Sequence, residues 1–150
     1  MDNKEIVNAL NKLIEINNDR FEGYEKAMTE VNDSDLKATF SKFAMQSRKF
    51  NVELGREVTK KKGKPAESTT TSGKFYRAWM DIKSSVSGND RKAVLELCEF
   101  GEDAAKEAYK DCLDKDIPAD VRTLVTSQYT EILASHNEVK AMRDAVSVDH

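Results

Sequence analysis

A carboxylate in the middle of an apolar helical stripe constrains this chain more than any other feature of it. Leu95, Glu102 and Tyr109 are spaced by seven, as are Cys98, Ala105 and Cys112, and interleaved they mark the inward seam of one amphipathic helix with Glu102 at its centre. A buried carboxylate is costly unless it is paired, hydrogen-bonded or bound to a metal. Whatever this chain folds into must therefore bring a partner to Glu102.

The 150 residues suit one domain, 1–150, long enough to bury a core without staples. Charged residues make up 34% of the chain and apolar ones 39%, with two prolines and six glycines, which favours long amphipathic helices over a sheet. The net charge of −3 is spread over both signs and offers no basic face for a nucleic acid. No window has the apolar length of a membrane span, and Met1 to Asn18 lacks the pattern of a secretion signal, so a cytoplasmic location is expected. Cys98 and Cys112 fall on one helix, roughly 21 Å apart at the helical rise, and cannot bridge each other.

The apolar periodicity predicts four long helices. The first runs from Asn3 to Val31, with Ile6, Leu10, Leu13, Asn17, Tyr24, Ala27 and Val31 inward and Ile14, Phe21 and Met28 beside them. Asn32 to Asp35 supply a turn and an N-cap, so the second helix returns antiparallel to about Lys61 on Leu36, Phe40, Phe43, Ser47, Phe50 and Leu54, and stops at Gly63. Residues 63–73 read as a polar, mobile stretch. Lys74 to Val86 read as a short helix carrying Phe75, Tyr76, Trp79, Met80 and Ile82, a lid across the bundle or, through Phe75, Trp79 and Met80, a surface for a second copy or another protein. The third long helix spans about Asp90 to Leu113. Pro118 opens the fourth, with Val121, Val125, Tyr129, Ile132, His136, Val139 and Val146 inward. A long connection between the second and third helices lets those two run parallel, and the whole reads as a ferritin-like four-helix bundle with a crossover containing a short helix.

Asn17, Ser47, Glu102 and His136 interrupt the four stripes near their midpoints, so they are expected to form one polar layer inside the bundle. In order and spacing, Gly23-Tyr24, Gln46 to Arg48 before Phe50, Trp79 to Lys83, Gly101 to Ala105 with Tyr109, and Gln128-Tyr129 before His136 resemble an uncharacterised bacterial family of ferritin-like four-helix-bundle proteins. The run Gly101-Glu102…Ala105…Tyr109 is distantly similar to rubrerythrin-type and bacterioferritin-type proteins. The resemblance implies the fold, and places di-metal ligands at this height. Against those ligands the chain departs: Asn17 stands at the first position, Ser47 and Phe50 at the second-helix pair, Leu133 beside His136, and of six usual ligands only Glu102 and His136 remain.

These readings lead to a non-enzymatic ferritin-like bundle with a degenerate di-metal site, stress-associated or partner-binding, with no catalytic residue and no cofactor. Its layer is expected to be a structural network in which Glu102 and His136 hydrogen-bond each other while Asn17 and Ser47 complete the set. The alternative is a metal-binding or oxidase-type protein with iron or another divalent metal on Glu102, His136 and Asn17. Nucleophilic hydrolysis is not expected, since no serine or cysteine stands in a recognisable motif with a histidine, and His150 is the last residue.

Overall fold

The computed structural model describes residues 1–70 and 91–148. Four long helices and no strand are present among them: α1 (Asn3–Glu30), α2 (Ser34–Lys60), α3 (Arg91–Leu113) and α4 (Ala119–Val148). The Lys74–Val86 helix, its Trp79 surface and the Gly88 to Asp90 cap lie outside the described residues, as does His150.

Each helix end has a local cause. Asp2 accepts a hydrogen bond from the Glu5 backbone N–H and Glu5 reaches back to the Asp2 N–H, a reciprocal capping box that opens α1. α2 ends in a Schellman arrangement, with the Lys62 N–H on the Thr59 carbonyl and the Gly63 N–H on the Val58 carbonyl. The left-handed residue of this cap is Lys62, at φ 64°, and not Gly63. Gly63 is required for another reason: a Cβ there would lie 2.6 Å from Val7 Cγ1 and 2.7 Å from Val7 Cγ2. α4 starts at Ala119, with the Pro118 carbonyl accepting from the Arg122 N–H.

The three-residue turn between α1 and α2 makes them antiparallel. At the start of α3, Arg91 bridges Asp33 and Asp35 at the start of α2, each at 2.7 Å, so these helices begin at the same end and run parallel. α1 packs on α2 and α3, and α4 packs on α3 and α2. Neighbours are therefore antiparallel and the two parallel pairs lie on the diagonals. The chain leaving α2 is tied down instead of loose: Asn11 bonds Lys64 and Ala66, Asn18 bonds the Ser68 carbonyl, and Asp19 accepts from the Thr70 N–H at 3.1 Å and from its hydroxyl. Residues 63–70, expected to be mobile, follow α1 for about two turns.

The core falls into two apolar halves. One gathers Leu10, Leu13, Phe50, Leu54, Ala105, Val121 and Val125, and the other Tyr24, Ala27, Leu36, Phe40, Val94, Leu95 and Val139. A belt of buried polar side chains separates them.

Candidate functional site

In α1 the spacing Leu13, Asn17, Arg20, Tyr24, Ala27 alternates four and three, so all five point inward and are at most 1% exposed. Arg20 Nε donates to Glu102 Oε1 at 2.8 Å, and the Tyr24 hydroxyl donates to the same oxygen at 2.5 Å. Arg20 Nη1 donates to Ser47 Oγ at 3.0 Å, and its guanidinium carbon lies 5.5 Å and 5.4 Å from the centres of the Tyr24 and Phe43 rings. The Ser47 hydroxyl passes the chain on to Asn17 Oδ1 at 2.9 Å, and Asn17 Nδ2 donates to the Tyr109 hydroxyl at 2.8 Å. Tyr109 donates to Gln128 Oε1 at 2.6 Å, and Gln128 Nε2 reaches the Phe50 carbonyl and Glu53 at the rim. One hydrogen-bonded path thus crosses the bundle through all four helices.

Asn17, Ser47 and Glu102 do share a layer, each fully buried. His136 does not join them. It sits at the edge of the α3–α4 seam, 13% exposed, with Nε2 2.7 Å from Asp103 Oδ1. The expected Glu102–His136 hydrogen bond is replaced by Glu102–Arg20, and Glu102, His136 and Asn17 do not form one cage. The reason lies at two positions of α4. Its buried positions are Val121, Val125, Gln128, Ile132, Ser135 and Val139, a strict heptad seam that keeps four of the expected inward residues, whereas Tyr129 and His136 are only partly buried beside it. Reading Tyr129 and His136 inward in preference to Gln128 and Ser135 displaces the seam by one residue at those two positions. Arg20 escapes the sequence reading for a related reason: the apolar and aromatic stripe of α1 passes from Asn17 to Tyr24 with its middle position empty, and Arg20 fills that gap.

The electrostatics follow from enclosure. Burial works against the Arg20 charge, but the adjacent Glu102 carboxylate outweighs it and holds the guanidinium pKa above its usual value. Burial, and then the negative charge of Glu102, push the Tyr24 phenol and the Cys98 thiol well above their usual ranges. Tyr109 is raised too, chiefly by burial. The layer therefore holds one ion pair among neutral donors, and Cys98 is a protonated thiol, not a nucleophile. Glu102 Oε2 and Arg20 Nη2 are buried with no hydrogen-bond partner among the described residues.

From residue 5 to residue 115, more than half of its length, the chain matches the profile of a domain of unknown function, DUF2383. The chain belongs to the DUF2383 family. The DUF2383 match takes in α1, α2 and α3 and with them Asn17, Arg20, Tyr24, Ser47, Glu102 and Tyr109; Gln128 and His136 on α4 lie beyond it. No curated protein matches this DUF2383 chain. No helix among the described residues is long and apolar enough to cross a membrane.

Proposed function

We propose that this DUF2383 chain is a non-enzymatic, ferritin-like bundle in which Arg20 supplies the positive charge that metal ions supply at the centre of di-metal proteins of that fold. The observation that carries the reading is the Arg20–Glu102 pair, 2.8 Å long with both side chains at 0% exposure. A di-metal centre needs several anionic oxygens to hold two cations and leave positions open. Two carboxylates are fully buried among the described residues, Glu102 and Asp19. One oxygen of Glu102 is already taken by Arg20 and Tyr24, and Asp19 is held by Thr70 of the segment that follows α1, away from the layer's hydrogen-bonded path. Asn17 is committed to Ser47 and Tyr109, and His136 lies outside the layer. This donor set does not fit a metal pair, and a dication beside Glu102 would be repelled by the guanidinium. The antiparallel neighbours, the parallel diagonals and the long α2-to-α3 connection support the ferritin-like reading.

Closure of the layer from solvent argues against a substrate reaching it, so the biological work of the molecule falls to its outer surface. Met45 and Val52 on α2 and Phe100 on α3 are apolar and more than half exposed, which supports a partner-binding bundle, stress-associated or otherwise. The test of the central claim is elemental analysis of protein purified without chelator, in parallel with Glu102→Gln. The two proteins are expected to carry the same metal content. One or two ions held by the parent and lost from Glu102→Gln would overturn the reading.

A further inference from the structure

One cluster of ligand-type side chains lies apart from the sealed layer. Glu99 and Asp103 are four residues apart on α3 and so share a face. Across the seam stands His136 of α4, and one ligand atom from each of the three lies within 4.8 Å of the other two. His136 Nε2 is 2.7 Å from Asp103 Oδ1. Glu99 is 17% exposed and is engaged by Arg143, whose other terminal nitrogen holds Asp144 Oδ1 at 3.1 Å. Lys106 Nζ stands 3.8 Å from Asp103 Oδ1.

We infer that Glu99, Asp103 and His136 form a mononuclear site for a divalent transition metal of the zinc class, with at least one position left to solvent. One imidazole and two carboxylates are a donor set that suits zinc, with bond lengths of about 2.0–2.2 Å that set neighbouring donors roughly 3.3 Å apart in a tetrahedron. One donor pair is 2.7 Å apart and none of the three atoms is more than 4.8 Å from another, so the ion enters by a slight opening of the His136–Asp103 hydrogen bond and side-chain rotation. Arg143 is the resident counter-charge. When the ion takes Glu99 the guanidinium keeps Asp144, and Lys106, 37% exposed, gives up Asp103 to stand in solvent. Asp103, at 53% exposed, marks the solvent side of the site, and His136, at 13%, the protein side. This site is independent of the Arg20–Glu102 pair, which lies inside the bundle.

The experiment is calorimetric titration of the full chain with zinc chloride after chelator treatment and dialysis, with cobalt(II) titrated in parallel and followed by its visible absorption. The expected result is one ion per chain. Affinity should fall by at least about 10- to 100-fold in His136→Ala and in Asp103→Asn, since loss of a ligand costs no less than loss of a group that only orients one. Arg143→Met should bind severalfold more tightly, because the competitor for Glu99 is gone. The double variant Arg20→Met/Glu102→Gln should bind as the parent does. Helical circular dichroism of each metal-free variant establishes that it is folded, and His136→Gln replaces His136→Ala if the latter is not. Absence of a one-to-one isotherm, or an affinity left unchanged by loss of His136, overturns the inference. Binding abolished in the Arg20→Met/Glu102→Gln protein but kept in the His136 variant overturns both this site and the sealed-layer reading.

Discussion

Arg20 and Glu102 lose their hydration together, and each is tolerable only because the other is there. Removing one partner of such a pair leaves a buried charge and costs about 3–5 kcal/mol, whereas replacing both with groups of similar shape is often neutral or better. Arg20→Met and Glu102→Gln are therefore each expected to lower stability by several kcal/mol, and the double variant to recover most of the loss. Urea unfolding of the four proteins measures this, and additive single effects would show that the pair is not coupled. Asp19 works in the opposite sense. Burial raises its pKa above the usual carboxylate value, against the hydrogen bonds from Thr70 that lower it. A carboxyl that holds its proton more tightly when folded adds stability as pH falls through its folded value toward its unfolded one, about 3.9. The parent should thus lose less stability on acidification than Asp19→Asn, and parallel curves as the pH falls from neutral to about 4 would exclude this role for Asp19.

At the scale of the element, the end of α2 divides between two residues what one glycine usually does. Lys62 holds the left-handed conformation, at a cost of about 1–2 kcal/mol for a side-chain-bearing residue. Gly63 leaves room for both methyls of Val7. Lys62→Gly should raise stability by about 0.5 kcal/mol, since relief of strain exceeds the extra freedom gained by the unfolded chain. Gly63→Ala should lower it by about 1–3 kcal/mol, because Val7 presents a methyl on either rotamer. Thermal unfolding separates the two signs. The same scale explains what sequence reading recovers. Bounds of α1 and α2 follow from caps, turns and periodicity, and the apolar inward residues of α1 to α3 are legible because apolar side chains announce their face. On α4 the seam runs through Gln128 and Ser135, whose chemistry points outward, and only the strict heptad reveals them. Arg20 was legible as a vacancy in a regular stripe, but an arginine is read as solvated unless its counter-charge, eighty-two residues away, is already known.

For the whole molecule, the polar belt fixes how four otherwise slippery apolar stripes align. Sliding one helix by a turn would set Arg20 or Glu102 against Leu, Phe or Val from either apolar half, so one register is favoured over its neighbours by the desolvation of charge. The sequence places this belt at the correct height from Asn17, Ser47 and Glu102. It does not reveal which residues meet inside, because that depends on helix rotation to within about 30°, finer than periodicity resolves. The central cation has a further consequence. A metal ion is a solute, and the occupancy of its site follows supply, competing chelators and the wrong ion arriving first. The charge on Arg20 is attached to the polypeptide from the moment of synthesis, in fixed stoichiometry and with no second oxidation state to reach. On the reading proposed above, the charge at the centre of this bundle depends on neither metal supply nor the identity of the ion that arrives first.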